Sequence, residues 1–390
     1  LHLSRFLFFV SFAVSAASVA YLGVAVRSVA RFRFGRDSAA PARRAPPVTI
    51  LKPVCGLDGD LEDNLRSFCR QDYPVYQVVF GVRDALDPAV PIVRRVIAAF
   101  PDGDLSLVVD SRISGANPKV SNLIAMSEHA RHELLVVADS DMRVGPGYLS
   151  AVASAFDDPA VGAATCLYDG SAAGGLASIL GTMFINDWFL PSVLVALESQ
   201  ELEFCFGATM AVKKGVLASI GGLDRLVTYL ADDYMLGHLV SRKGLKVALA
   251  PVIVDNVVSE RNLRSLVRHE LRWARTVRTV RPVGFAFSFL TDAIPLSMLF
   301  LLVSRFSALG LGMFGLAAAL RLVLHERVRA RFHPAVADAP WLIPVRDFLT
   351  FGIRIASFLG HDVEWRDQDF VVDGGGRLAM KGGFPSERSS

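Results

Sequence analysis

An α/β domain with a mostly parallel sheet, flanked by transmembrane helices, is the fold class the sequence predicts, and three observations predict it. Between Val48 and Pro251, short β-branched runs alternate with segments of helical spacing, the pattern of βαβ units. Before that region, Phe6 to Val26 carries no charge and is long enough for a bilayer core, which takes about 20 helical residues. After it, Val283 to Val303 and Phe306 to Leu324 are again apolar, separated by Ser304 and Arg305. With 52% hydrophobic and 20% charged residues over 390 positions, and a mean hydropathy of +0.40, the chain is too apolar for a disordered or nucleic-acid-binding class. A formal charge of +3 calls for no polyanionic partner.

Taken in order, residues 1–30 read as an N-terminal anchor. A cleaved signal peptide competes, but its apolar run is usually about 7 to 15 residues, and here the basic residues follow the run instead of preceding it. Arg27, Arg31, Arg33, Arg36, Arg43 and Arg44 keep that end cytoplasmic under the positive-inside rule. Residues 31–47 form a basic linker, rich in Pro and Ala and without apolar periodicity. The α/β domain follows over 48–260. Val48–Leu51, Gln77–Val82, Leu105–Val109 and Leu134–Ala138 are its strand candidates. Asp60–Arg70, Pro88–Ala99 and Pro118–Arg131 are its helices, with Pro88 and Pro118 suited to a first turn. Gly174–Leu197 is apolar but interrupted by Asn186, Asp187 and Pro191, which favours an amphipathic segment near the membrane surface, or a core helix, over a full span. Four cysteines without C-x-x-C spacing suggest neither a zinc site nor a disulfide framework, and fit a reduced domain.

Residues 261–282 carry Arg261, Arg264, Arg268, Arg272, Arg275, Arg278 and Arg281 at spacings of three or four, a stripe suited to an interfacial helix over anionic headgroups or to a solvated face. Residues 283–325 then predict a membrane hairpin. Asp292 and Pro295 are costly in lipid, so its first helix is expected to break, border a site or kink. Arg327, Arg329 and Arg331 return the chain to the cytoplasm. Within 326–390, Trp341–Gly360 is apolar yet holds Arg346, Asp347 and Arg354, so an interfacial helix and a third late span both stay open. The tail from Asp362 reads as a short hairpin and then disorder.

In parallel sheets ligands bind at the carboxyl ends of the strands, and four polar clusters lie there. Asp84 follows the second strand, where it would accept hydrogen bonds from a base or ribose, or cap its own loop. Lys119, in Asn117-Pro118-Lys119, puts a cation at a helix start able to hold a phosphate, or is an ordinary loop lysine. Asp139-Ser140-Asp141 sets two short carboxylates on a bend, suited to Mg²⁺ or Mn²⁺ bridging a diphosphate, or to capping the helix near Pro146. Asp232 and Asp233 open a helix, as dipole partners or with one as general base on an acceptor hydroxyl.

Together, VTILKPVCG from Val48, VRDALDP from Val82, NPKVSNL from Asn117, DSDMRV from Asp139, the Gly221-Gly222 pair, ADDY from Ala231 and LRW from Leu271 make an ordered set. In order and spacing the set resembles the ceramide glucosyltransferases and the bacterial glycosyltransferases associated with hopanoid biosynthesis. The resemblance covers Val48 to Ala274 and implies a GT-A fold, Rossmann-like with a mostly parallel sheet. It implies donor-side roles for Lys52, Lys119 and Asp84, the last on uracil or ribose. It further implies Asp139 and Asp141 as a DxD site for Mg²⁺ or Mn²⁺ beneath the diphosphate, and Asp233 as base of an inverting transfer. Arg272 would reach the diphosphate, Trp273 would shape the acceptor entrance, and Asp232 falls on the acceptor or product side. The family pattern has Gln or Arg, two residues, then Arg-Trp, whereas His269 holds the first position here. As a neutral imidazole it would hydrogen-bond the acceptor or UDP; a helix-surface histidine is the alternative.

The expected activity is transfer of glucose or N-acetylglucosamine from a UDP-sugar donor to the hydroxyl of a membrane lipid acceptor, at the cytoplasmic face of a bacterial inner membrane. The basic residues comprise 34 Arg and only 7 Lys, a bias of GC-rich bacterial genomes that tilts the acceptor from ceramide towards a hopanoid polyol. A processive polysaccharide synthase is one alternative, disfavoured by the few late helices. A non-catalytic nucleotide-sugar sensor is another, and it would need none of Asp139, Asp141, Asp233, Arg272 and Trp273. Oligomeric state is left open.

Overall fold

The computed structural model describes residues 2–33, 45–332, 339–360, 362–365, 368–372 and 376–380. The chain forms two units: a sheet unit of Phe34–Tyr168, Glu201–Ser259 and Asp362–Ser390, and a helical unit of Leu1–Arg33, Asp169–Gln200 and Glu260–His361.

Eight strands make the main sheet: β1 (Val48–Pro53), β2 (Tyr76–Val82), β3 (Leu105–Val109), β4 (Leu134–Val137), β5 (Met142–Arg143), β6 (Val161–Ala172), β7 (Met210–Lys213) and β8 (Lys246–Val258). Their order is β3-β2-β1-β4-β7-β6-β8-β5. The four strands read from sequence are β1 to β4, and they form the parallel block. Val48 lies opposite Tyr76 and Leu134, and Val78 opposite Leu105. Helices Leu61–Phe68, Ala89–Ala98 and Pro118–Ser127 are the crossovers between them. All six residues of β1 are buried, because a central parallel strand is covered on both faces. Ile50, Val78 and Val136 pack with Leu65, Phe68 and Val93 on one face, while Leu51, Val79 and Val137 pack with Val120, Leu123 and Met126 on the other. That alternation is the two-residue period of a strand. Beyond β4, β7 runs antiparallel to both β4 and β6, and β5 antiparallel to β8.

The tail holds three antiparallel strands, β9 (Asp362–Trp365), β10 (Gln368–Val372) and β11 (Leu378–Met380). The hairpin expected from sequence thus gains a third strand. The Leu378 N–H donates to the Thr228 carbonyl at 2.7 Å and the Leu230 N–H to the Gly376 carbonyl at 3.3 Å. The end read as disordered (381–390) and most of the linker (34–44) lie outside the described residues.

In the helical unit, His2–Arg31, Gly175–Leu197 and Ala308–Phe332 are long and apolar enough to cross a membrane, and Pro282–Thr291 with Ala293–Val303 would make a further span bent by 64°. The break falls at Asp292, whose carboxylate meets the Arg354 guanidinium at 2.7 Å, so its charge is met inside the bundle. Gly175–Leu197 departs from the expectation, because neighbours satisfy the residues that would interrupt a lone span. Asn186 exchanges two hydrogen bonds with the Gly170 backbone, at 2.8 and 3.0 Å. Asp187 lies 2.9 Å from His325, and Pro191 sits in the first turn of Leu190–Leu197, with a π-helical turn over Ile185–Phe189 preceding it. Ile343–Ser357 has 15 residues, short of the roughly 20 a span takes, and Arg346, Asp347 and Arg354 all pair with other residues of the unit.

Candidate active site

After β4 the chain bends through Asp139-Ser140-Asp141 into β5. The Met142 N–H donates to the Asp139 carbonyl at 3.2 Å, and Ser140 Oγ to Asp58 at 2.6 Å. Beneath the bend lies Lys52, fully buried, with Nζ donating to the Asp139 carbonyl and, at 3.4 Å, to that of Met142. Its ammonium stands 3.6 Å above the Phe68 ring. Burial pushes Lys52 down to about 7 against the pull of Asp141 and Asp139. Lys52 was expected on the donor; with no exposed surface, it supports the acidic loop from below. Helix Tyr148–Ser154 is capped at Gly147 without a side-chain bond, so Asp139 and Asp141 do not serve as its caps.

Asp141 Oδ2 accepts from Asn256 Nδ2 at 3.2 Å, while Oδ1 is buried without a hydrogen-bond partner. Pairing of Met142 with Asn256 across β5 and β8 brings the amide there. Burial, then repulsion from Asp139 and Asp58, raises Asp141 to about 7. Asp139 Oδ1 is met by Lys119 Nζ at 2.7 Å, and the same ammonium lies 3.2 Å from Asp232 Oδ2. Burial alone would lower the Lys119 pKa, but Asp139, Asp232 and Asp233 together outweigh it and raise it. The lysine is therefore no loop surface residue; it ties two acidic clusters together. Asn117 positions it, capping helix Pro118–Ser127 through Val120 N–H and donating to the Tyr229 carbonyl at 2.8 Å.

Asp233 lies in the first turn of helix Asp232–Arg242, with Oδ1 accepting from the Tyr234 N–H at 2.7 Å. Burial, then the adjacent Asp232, raises it to about 6, with Lys119 pulling the other way. A carboxylate so poised has useful basicity near neutral pH. Asp84 is exposed beyond β2, and its Oδ1 accepts from the Leu86 N–H at 2.9 Å, so it does cap its own loop.

Three contributors escape a motif search. A Cβ placed on Gly207 would lie 3.1 Å from Asp139 Oδ2 and 3.3 Å from Asp233 Oδ2, so the two carboxylates face one residue without a side chain. Tyr168, half-buried, lies near the same acids; desolvation, then Asp233, Asp141 and Asp139, raise its phenol. Asn256 is the third. Its only sequence signal is an Asp-Asn pair inside the apolar run VIVDNVV of β8, and that of Gly207 a glycine between an aromatic and small residues.

In the helical unit, helix Leu263–Val280 opens with a capping box of Asn262 and Ser265 and carries His269, Arg272 and Trp273. His269 Nδ1 lies 2.8 Å from Glu260, and its ring centroid 4.3 Å from that of Trp273. Trp273 stacks on Phe184 at 6.0 Å, and Phe184 on Trp188 at 4.9 Å. His269 is thus held between an acid and an aromatic ring. In the middle of the arginine stripe Glu270 is buried, gripped by Arg346 at 2.8 and 2.7 Å.

The sequence profile described as glycosyl transferase family 21 matches residues 10–378. The chain belongs to that family. Ceramide glucosyltransferase 1 of Caenorhabditis elegans is 24% identical to this family 21 protein over 357 residues, covering 87% of this chain and 74% of the relative. The ceramide glucosyltransferase of Candida albicans is 35% identical over 107 residues, 24% of this chain and 20% of the relative. Among solved structures, the mannosyltransferase PcManGT from Pyrobaculum calidifontis, in complex with GDP-Man and Mn²⁺, aligns with a TM-score of 0.59 and 20% identity. That alignment covers 90% of this chain and 99% of the other, and it shows the fold. The family 21 protein has a GT-A sheet unit and candidate membrane helices.

Proposed function

We propose that this family 21 glycosyltransferase moves one glucose or N-acetylglucosamine from a UDP-sugar to a membrane lipid hydroxyl, with inversion. The observation that carries this is the meeting of Asp139 and Asp233 at Gly207, a donor-side and an acceptor-side carboxylate at one small residue. Asp139 and Asp141 fit Mg²⁺ or Mn²⁺: Asp141 Oδ1 is buried without a partner, a carboxylate oxygen that a hard cation satisfies. Among the described residues no group of three or more His, Cys, Asp or Glu is placed to hold a metal ion by itself, so phosphate oxygens and water would complete the shell. When bound, the cation offsets the charge that builds on the departing diphosphate.

The remaining work belongs to the chain. Asp233 takes the proton of the acceptor hydroxyl as its oxygen bonds to the anomeric carbon, and the bond from that carbon to the UDP oxygen breaks. One displacement needs a base and positioning, with no protein nucleophile. Lys119 holds Asp139 in register with the helix that carries Asp233. Asp84 is assigned to uracil or ribose, Arg272 to the diphosphate, and Trp273 and His269 to the acceptor side. The apolar helices and the relatives named ceramide glucosyltransferases support a lipid acceptor, and the Arg-rich composition a hopanoid polyol in a bacterial inner membrane. Arg27, Arg31, Arg327, Arg329 and Arg331 support a cytoplasmic sheet unit.

The test is product mass. Purified protein is incubated with a panel of UDP-sugars, Mn²⁺ or Mg²⁺, and ceramide or a hopanoid polyol. A lipid heavier by one sugar, of inverted anomeric configuration, is expected. A growing polymer would favour the synthase alternative, and donor binding without any product the sensor.

A further inference from the structure

The short run 227–230 leads into helix Asp232–Arg242, with Leu230 three residues ahead of Asp233, and backbone bonds hold it from two sides. On one side, the Asn117 N–H donates to the Val227 carbonyl and its Nδ2 to the Tyr229 carbonyl, both at 2.8 Å. Gly115 lets that loop come close, since a Cβ there would lie 2.6 Å from Val227 Cγ1. On the other side the chain returns from its tail. The Leu378 N–H donates to the Thr228 carbonyl at 2.7 Å, the Leu230 N–H donates to the Gly376 carbonyl at 3.3 Å, and Tyr229 pairs antiparallel with Arg377. The carbonyls of residues 227 and 229 go to Asn117 and that of 228 to the tail, the alternation of a strand with a partner on each edge. The Arg377 guanidinium lies 5.9 Å over the Tyr229 ring, and the Leu378 side chain is buried.

This tail contact is local to the start of the helix. The two apolar clusters that cover the main sheet take in Leu226 and Val227 but, among the described residues, none from the tail. What the tail supplies is a second backbone edge for 228–230. Ala231 follows as the helix cap, then Asp232 and Asp233 in the first turn, so a shift of 228–230 passes directly to both carboxylates. Lys119 grips Asp232 from the Asn117 side. The turn is therefore tied by a side chain from one direction and by the tail backbone from the other. Tolerance there is small, because a misplacement of about 1 Å costs about 10²-fold in rate.

We propose that β11, with the two residues before it, is a strap that positions the first turn of helix Asp232–Arg242, and that Gly376 and Leu378 are positioning residues for sugar transfer. The proposal rests on the reading of Asp233 as the base.

In the full-length protein, Leu378→Pro removes the N–H that bonds Thr228, whereas Leu378→Ala removes the side chain and keeps that donor. Leu378→Pro should lower kcat for lipid-dependent UDP release by about tenfold or more, with the Mn²⁺-dependent UDP Kd within about twofold of wild type. Leu378→Ala should lose about threefold or less. Hydrogen exchange over the peptide 227–233, read by mass spectrometry, should quicken in the proline variant and stay near wild type in the alanine one. In an Asp233→Asn background the proline should cost less than about twofold more, because strap and base act as one unit. Gly376 has φ +79°, so Gly376→Ala strains the strap with its donors intact and carries the same measurements if Leu378→Pro fails to fold. Equal losses in the proline and alanine variants, unquickened exchange, UDP binding weakened in step with kcat, or a further tenfold fall in the Asp233→Asn background would overturn the proposal. Asp233→Asn turning over at the wild-type rate would sink the base reading; a fall in kcat alone in Leu378→Pro would then still uphold the strap, acting through another group of that turn.

Discussion

Gly207 shows how little room the proposed site leaves. Its φ is not among the positive values of the described residues, so alanine meets no backbone strain; its methyl would instead press on Asp139 and Asp233 at once. Gly207→Ala should therefore lower kcat by about tenfold or more through misplaced carboxylates, with thermal stability nearly unchanged, as turnover and melting curves on one preparation would show. As the proposed base, Asp233 should set the pH profile. Its pKa is raised to about 6, and a base works deprotonated. Activity is then level above that pH and falls as pH drops through it, by about tenfold per unit below; a profile flat to pH 4 would contradict the assignment. Asp139 and Asp141 at the end of β4, and Lys119 and Asp233 in the first turns of their helices, stand out in the sequence as polar residues beside apolar runs. Lys52 misled, since nothing local to LKPV reveals that Phe68 and the Asp139 carbonyl enclose it.

Among the elements, β1 to β4 were legible from short β-branched runs alternating with helical spacing; β1, β2 and β4 are almost wholly buried, while β3, at the sheet edge, is mostly half-buried. The antiparallel half was not, because several helical segments, and not one crossover helix, separate β6, β7 and β8 along the chain. Gly175–Leu197 was judged by its interruptions, and their partners lie on other elements. The Glu270–Arg346 pair binds helix Leu263–Val280, which carries the Arg-Trp motif, to helix Ile343–Ser357, with both side chains nearly inaccessible. Arg346 also donates to the Leu180 carbonyl at 3.2 Å and lies over Phe184, the ring on which Trp273 stacks. Arg346→Met should cost about 3 to 5 kcal/mol, because it strands a buried carboxylate. Adding Glu270→Leu should recover much of that loss, read as melting temperature in one detergent. No recovery would mean that the pair's geometry, and not its charge, is what the helices need.

At the scale of the molecule, the sequence order disguises the assembly. Asp169–Gln200, read as part of the catalytic domain, groups with the helical unit, and Asp362–Ser390, read as a trailing tail, groups with the sheet unit. The motifs divide likewise: the acids and Lys119 belong to the sheet unit, and His269, Arg272 and Trp273 to the helical unit. On the proposed mechanism the two acidic clusters that Lys119 ties together divide the work, cation and donor at Asp139 and Asp141, and proton removal at Asp233. The direct measurement is Asp233→Asn with both tasks read separately, as Mn²⁺-dependent UDP binding by calorimetry and lipid-dependent UDP release. Binding within about twofold of wild type is expected, with release lowered by about 10² to 10⁴-fold. Release at the wild-type rate, or loss of binding in step with release, would contradict that mechanism.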